Sequence, residues 1–383
     1  MNIAYFCDIS SIHNLKWINY FSKNNNVILI TDKKHINKNY YENSNVKIYY
    51  LIPETYPLLR GFVAKKRTLT EIRKIISENK IDIIHSLYAI PYSFWAYKLN
   101  FQKHIITTRG SDVLVDYAQT FNNYKNIKEQ VSKRILKKLF QNTLKKGNFI
   151  TSTSTKQQEV IQKFIDNPDK LVLIRTGVDV DFFESNYTLL KKTTPPEQIT
   201  ILSPRLIKPL YNIDIIIKAF NKIVHDFNKL NFKLVLINYF ANPEYLASIK
   251  TQIKNSNLEK YIDILNAQDQ LGMLQQYKNA DLVVMLPSSD GVPVSGIETM
   301  LAKKPLLLGN IQYDSDIFNT HTTWKVNTQS PDEIANKIFE ILHLPKKELD
   351  TKMEKAFYAV SEKANFKKEI YKLEGIYSSL YKG

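Results

Sequence analysis

The sequence predicts an α/β protein made of two doubly wound domains in tandem. Three observations carry this. Short apolar runs alternate with helical patterns along the chain, as expected of parallel strands covered on both faces by crossover helices. The pattern restarts near residue 199, after a segment that holds Pro195 and Pro196 and lacks a helical period. The length of 383 residues suits two domains of about 100–200 residues each.

In the first half, "NIAYF" is a buried strand, followed by the loop "CDISSIHN" and the helix "LKWINYFSKN". The strands "VILIT" and "VKIYYL", the helix "LTEIRKIISEN" and the strand "DIIHSL" come next. A helix around "YSFWAYKL" leads to the strand "HIITT" and the loop "RGSD". Residues 122–146 read as one long basic amphipathic helix, with Gly147 as its C-cap. "NFITSTS", a helix, "KLVLIR" and "TGVDVDFF" complete a first domain, 1–187, with 188–198 as the linker. The second domain, 199–360, opens with the strand "ITILSP", the loop "RLIKPLY" and the helix "NIDIIIKAFNKIV". It continues through "FKLVLIN", "YIDIL", "LGMLQQYKNA", "DLVVMLP", "PLLLG" and "WKVN". Residues 361–383 are expected to close the chain as a helix packing back toward the first domain.

Hydrophobic residues make up 44% of the chain, which supports real cores and excludes a disordered protein. Cys7 is the single cysteine, so no disulfide framework and no cysteine zinc site exists. The start "MNIAYFCD" lacks the basic opening and long apolar stretch of a signal peptide. No apolar run nears the ~18–20 residues that span a bilayer. The expectation is a cytoplasmic protein, or one attached to the inner face of the membrane. Net charge is +16 and uneven: residues 1–185 hold 28 Lys and Arg against 16 Asp and Glu, the remainder 25 against 21. A basic first half suits an acidic partner, whether a phosphorylated ligand, an anionic membrane or a nucleic acid; a lysine-rich solvated surface gives the same count.

In doubly wound sheets ligands sit beyond the carboxyl ends of the strands, so the loops 8–14, 85–91, 109–116, 204–211 and 287–297 matter most. The richest is "SSDGVPVSGIETMLAKKP", residues 288–305. Pro287 ends a strand, and Gly291 offers a backbone conformation that other residues resist. Val292, Pro293, Val294, Ser295 and Gly296 then open a helix, whose mouth carries unpaired N–H donors and about half a positive charge, a ready diphosphate site. Glu298 in its first turns can reach two ribose hydroxyls, while Asp290 points beyond the phosphates. A plain strand-to-helix connection, with Asp290 as a turn cap, would use the same residues.

This stretch resembles the signature of the family-4 retaining glycosyltransferases, the bacterial group 1 enzymes. It matches at Pro287, Ser288, Asp290, Gly291, Pro293, Ser295, Glu298, Met300 and Ala302. The resemblance implies the GT-B architecture, two Rossmann-like domains facing each other across a cleft. "SPRLIKPLYNIDIIIKAF" is similar to the family segment whose Arg and Lys clasp the donor diphosphate. Arg205 matches that Arg; Leu210 stands where the Lys is expected, and Lys208 on the same loop is the candidate to replace it. "RTGVDVDFF" resembles the family's Gly-Val-Asp element, and "SSIHNLKWINYF" its first loop and helix, with His13 at the cleft. "ITTRGSDVL" matches the loop that often carries a histidine before the glycine. Arg109 holds that position here, and the resemblance implies that Arg109 and Asp112 lie at the acceptor side of the cleft.

The resemblance further implies a hexosyl transfer that retains anomeric configuration, without metal or other cofactor. The donor is a nucleotide-diphosphate sugar, and the acceptor a lipid-linked or polysaccharide glycan, in cell-surface polysaccharide or lipopolysaccharide synthesis. Arg205, Lys208, Asp290 and Glu298 are the implied catalytic set, and Gly291, Val292, Pro293, Val294, Ser295 and Glu298 bind the donor. Base recognition is expected from backbone around 264–270.

Other signals compete. The triplets "DVD" (179–181) and "DSD" (314–316) have the spacing of a metal-binding motif, yet both sit near loops where Asp is common. His85, at a strand end, is either a cleft residue or a satisfied structural histidine. The helix 122–146 carries eight Lys and Arg against one Glu. Ile127, Val131, Ile135 and Leu139, with Leu136, Phe140 and Leu144, follow helical spacing toward a core. Its basic face, with "RGFVAKKR" (60–67), is also a candidate for docking on anionic lipid. A nucleotide-sugar epimerase of the same architecture would need an acid/base pair, with His13 and His85 on offer. Nucleic-acid binding lacks a recognisable module.

Overall fold

The structure, a computed structural model, describes residues 1–32, 46–226 and 230–382; the side chains of Ile12 and His13 lie outside the described residues. Two compact units divide the chain: Met1–Thr176 with Ile370–Gly383, and Gly177–Glu369.

Unit 1 holds seven parallel strands: β1 (Asn2–Cys7), β2 (Asn26–Thr31), β3 (Val46–Tyr50), β4 (Ile83–Leu87), β5 (His104–Thr107), β6 (Phe149–Ser152) and β7 (Leu171–Leu173). Their order is β3-β2-β1-β4-β5-β6-β7. The central strands are buried on both faces because helices cover both. β1, apolar and buried from Ile3 to Cys7, shows this directly. Residues of the helix Phe366–Lys382 close this unit: Leu373 and Tyr377 are fully buried, and Tyr20 donates its hydroxyl hydrogen to Glu374 at 2.9 Å. The loop expected over 7–14 is shorter than the sequence pattern suggested, since a helix already begins at Ile12 and includes His13.

Unit 2 repeats the design with β8 (Gln198–Ser203), β9 (Asn231–Asn238), β10 (Ile262–Asn266), β11 (Leu282–Met285), β12 (Leu306–Gly309) and β13 (Trp324–Val326). All pairings are parallel, in the order β10-β9-β8-β11-β12-β13. Both sheets therefore have the Rossmann order, in which the chain winds outward from the first strand in one direction and then in the other.

The division falls at Gly177, eleven residues before the linker expected at 188–198. The reason is burial. Val178, Val180 and Phe183 pack into a unit 2 core with Ile297 and Met300, so the helix Val180–Tyr187 belongs to that unit. The segment 188–198 is itself tied down there: Thr193 N–H donates to Asn279 at 2.9 Å, and Lys192 pairs with Asp281 at 2.6 Å. Gly177 has φ +62°, and a Cβ on it would lie 2.8 Å from the Phe366 nitrogen. Only glycine allows that approach, which lets Val178 pair with Asn365 as an isolated bridge.

Candidate functional site

In unit 2, β8 pairs with β11 on one side and with β9 on the other, so the strand order reverses between β8 and β11. The loops leaving their carboxyl ends frame the crevice where doubly wound sheets take ligands. Arg205 follows β8 and Asp290 follows β11. The Arg205 Nη2 donates to Asp290 Oδ2 at 2.7 Å, and its Nη1 donates to Ser295 Oγ at 3.0 Å. Both side chains of the ion pair are 15% exposed. The guanidinium lies 4.4 Å from the ring centroid of Tyr211, a stack that suits its planar shape. Arg205 Nε is buried without a hydrogen-bond partner among the described residues. Burial pushes the Asp290 carboxyl up from its ordinary range, while Arg205 and the Gly291 N–H pull it back.

The turn after Asp290 is held by hydrogen bonds. Gly291 N–H donates to Asp290 Oδ1 at 2.8 Å, and Gly291 carbonyl accepts from Asp314 N–H at 3.0 Å. Gly291 does not use the left-handed conformation anticipated for it: the positive-φ glycines of the described chain are Gly61, Gly110 and Gly177. The special glycine here is Gly296. A Cβ on it would meet Phe318 at 3.0 Å and Met285 at 3.1 Å, so glycine lets the helix Val294–Leu301 start close against β11. No side chain caps that helix at Pro293, which leaves its first N–H groups to another acceptor. Val292 and Val294 pack against the core beneath, and Pro293 is buried.

Glu298, half-buried one turn into the helix, accepts from the Tyr277 hydroxyl at 2.8 Å. Burial first, and then the Glu298 charge, hold the Tyr277 hydroxyl well above its ordinary range, so it stays a donor. Lys208 is half-exposed at the start of the short turn Pro209–Tyr211. Its ammonium has no ion-pair partner among the described residues. Leu210 acts through its backbone: its carbonyl accepts from Ser288 N–H at 2.8 Å, stitching the two loops together. Asn212 adds a bond from its side-chain amide to the Leu286 carbonyl at 2.8 Å. The structure thus gathers Arg205, Asp290 and Ser295 into one contact set, with Lys208 on the same loop and Glu298 on the same helix. Sequence reasoning missed Tyr211, Tyr277 and Tyr313. The first two lay in runs read as ordinary core or loop; Tyr313 is buried, its hydroxyl has no partner among the described residues, and it lies in the field of Asp290 and Arg205.

In unit 1 the "RGSD" loop follows β5. Gly110 takes φ +114°, where glycine is favoured. Asp112 is fully buried and accepts backbone N–H groups from Ala89 (2.9 Å), Gly110 (3.0 Å), Arg109 (3.1 Å) and Val113 (3.1 Å). It is therefore a latch between the β4 and β5 loops rather than the cleft residue expected. Burial pushes its carboxyl up to about 6, against the pull of those four donors. Arg109 is set by that latch. Its Nη2 donates to Asn14 Oδ1 at 2.9 Å and its guanidinium lies 4.6 Å from the Trp17 ring centroid. Its Nε and Nη1 have no partner among the described residues. Burial lowers it to about 10, still a cation at neutral pH.

Of the two readings for His85, the cleft residue is overturned and the structural histidine holds. It is 0% exposed inside β4, with Nδ1 2.6 Å from the Tyr377 hydroxyl and Nε2 2.6 Å from Thr107 Oγ1. Tyr377 in turn donates to Tyr5 at 2.8 Å. An interior strand position with both ring nitrogens satisfied makes it a structural histidine, not a cleft residue. His13 lies on the helix Ile12–Ser22, but its side chain is outside the described residues. The Asp triplets have structural employment: Asp179 caps the helix Val180–Tyr187, Asp181 pairs with Lys367, and Asp314 accepts from Asp316 N–H at 3.1 Å. No group of three metal-ligating side chains occurs among the described residues.

Two units of Rossmann strand order, the second with Arg205 bridging the loops at its switch point beside a helix that no side chain caps, define an α/β protein of the doubly wound class. Residues 2–154 match the family model described as glycosyl transferase 4-like, and residues 189–359 match glycosyl transferases group 1. The chain belongs to this group 1, family-4-like family and is an enzyme of that class. No curated protein matches it in sequence. Among solved structures it is similar to a glycosyltransferase from Rickettsia africae, with 17% identity, a TM-score of 0.77 and coverage of 100% of this chain and 99% of that one. It is similar to Anabaena HepE in complex with UDP at 14% identity and TM-score 0.77, covering 99% and 100%. It is also similar to sucrose-phosphate synthase from Thermosynechococcus elongatus at 15% identity and TM-score 0.77, covering 100% and 99%. At such identities the likeness concerns the fold.

Proposed function

We propose that unit 2 binds a uridine diphosphate sugar and that the enzyme transfers the sugar with retention, without a metal, to a lipid-linked or polysaccharide acceptor in cell-surface glycan synthesis. The observation that carries this is Arg205, stacked on Tyr211 and aimed at Ser295 and Asp290 beside an uncapped helix mouth. Solved structures of similar fold hold UDP and UDP-glucose, which favours that donor class. In this reading Arg205, Lys208 and the N–H groups at Val294 and Ser295 face the diphosphate, and stabilise the negative charge that grows as the sugar–phosphate bond breaks. Asp290 orients sugar hydroxyls, and Glu298, braced by Tyr277, takes the ribose hydroxyls. Arg109 supplies a fixed positive charge toward an acceptor oxygen; unlike a histidine it exchanges no proton. Transfer takes place at the cytoplasmic face of the membrane.

A thermal-shift series with UDP, UDP-glucose and other nucleoside diphosphates tests the donor reading. UDP compounds should raise the melting temperature of the wild type, and Glu298→Ala should abolish most of that rise. No rise with any nucleotide, or an equal rise in the variant, would sink it. An epimerase needs an acid/base pair, and His85 is occupied by Tyr377 and Thr107.

A further inference from the structure

The helix Ile127–Lys146 buries one row, Lys133, Leu136, Phe140, Thr143 and Leu144. Of the row expected to join it in the core, Leu139 does and the other three do not: Ile127 is 79% exposed, Val131 50% and Ile135 48%. These three stand at successive turns, a stripe about 12 Å long at 1.5 Å per residue. Exposed Lys128, Arg134 and Lys138 flank it. The one carboxylate of the helix, Glu129, faces Lys133 at 2.7 Å. The loop beside the stripe extends the patch. Leu58 is 63% exposed, and its carbonyl accepts from the Ser132 hydroxyl, next to Val131. Exposed Tyr56 and Arg60 lie on the same loop.

Single exposed aliphatics are ordinary, but an aligned row of β-branched residues on a water-facing helix gains neither packing nor helix propensity. We infer that this face of unit 1 docks on an anionic phospholipid surface, the aliphatic stripe and Leu58 entering the headgroup boundary and the cations meeting phosphates. The pattern is that of an interfacial helix: a narrow apolar stripe with basic flanks, its own carboxylate Glu129 drawn to Lys133 and Asp116 offset by the charge of Arg60. A second copy of the chain fits poorly, since two such faces would bring like charges together. The inference deepens the proposal of work at a membrane by naming the surface, and its assay contains no nucleotide, so its failure leaves the donor reading untouched. Among the described residues no helix is long and apolar enough to cross a membrane.

Co-sedimentation of the full chain with phosphatidylcholine vesicles, and with vesicles holding about a third phosphatidylglycerol, tests it. The wild type should pellet with the anionic vesicles only and be released by salt. The triple variant Ile127→Ser, Val131→Ser, Ile135→Ser should bind at least ~10-fold more weakly with an unchanged melting temperature. Replacing Lys128, Arg134 and Lys138 by Gln should lose about fivefold per cation. Equal binding to neutral vesicles, no binding to anionic ones, undiminished binding by the triple variant, or a dimer in sedimentation that the triple variant abolishes would each overturn the inference.

Discussion

Arg205 and Asp290 meet at 2.7 Å over the carboxyl ends of two paired strands, although the chain separates them by 85 residues. Arg205 also holds Ser295, so one guanidinium organises both the acidic turn and the helix mouth. Arg205→Ala should cost about 2 kcal/mol of stability, less than a fully buried pair because both partners keep some water. Adding Asp290→Asn should recover at least half of that loss, yet leave UDP binding absent. Calorimetric titration and urea unfolding of the single and double variants read the two effects separately; a single variant that binds UDP like the wild type refutes the role.

Tyr277 donates its hydroxyl hydrogen to Glu298 at 2.8 Å, so in the proposed donor site it acts through that carboxylate. Glu298→Ala should weaken UDP binding by about 100-fold, since a carboxylate on two hydroxyls is lost. Tyr277→Phe should cost about 10-fold, the worth of one hydrogen bond to a charged group. In the Glu298→Ala background the tyrosine change should have little further effect. Additive losses in the double variant would mean that Tyr277 works independently of Glu298.

Two buried histidines set an acid limit on unit 1. His104 bonds Ser86 at 2.9 Å, and burial lowers it to about 3; His85 is also held well below its ordinary range by burial, with the Arg109 charge next. Below pH ~6.5 the unfolded chain takes protons that the folded one refuses, so stability is full above that pH and falls as pH drops toward 3. His104 should cost about 2 kcal/mol at pH 5, the product of ~1.5 pH units and 1.36 kcal/mol per unit, and His85 adds a cost of the same sign. Denaturation between pH 7.5 and 5 measures the slope, and His104→Phe with Ser86→Ala should flatten it. A slope unchanged by that pair would show that His104 does not cause it.

Gly177→Ala should destabilise by about 3 kcal/mol or more, because the new Cβ meets the backbone of Phe366 at 2.8 and 2.9 Å and φ is +62°. The contact is with backbone, so no side chain can swing aside. A thermal melt within ~1 °C of wild type would contradict this account of the start of unit 2.

Much of the fold was legible along the chain. Strands buried on both faces, such as β1, are apolar at nearly every residue, and their crossover helices must carry a period near 3.6, whatever their neighbours are. The acidic residues Asp290 and Glu298 were legible too, since a turn into a helix demands particular residue types at short range. Arg205 was placed by its loop. The contact among Arg205, Asp290 and Ser295 was not, because it depends on β8 lying beside β11.

What the sequence by itself determined is the alternation of elements, the two Rossmann-like halves and the residues around one helix mouth, all consequences of local burial and local turn chemistry. Tertiary structure decided the rest. Periodicity reveals that a face is apolar but not what covers it, so Ile127, Val131 and Ile135 face water while Val178, Val180 and Phe183 draw the boundary back to Gly177. The same holds for polar side chains. His85 and Asp112 carry residue types suited to a site, and only their placement, inside a sheet and under four backbone N–H groups, makes them structural.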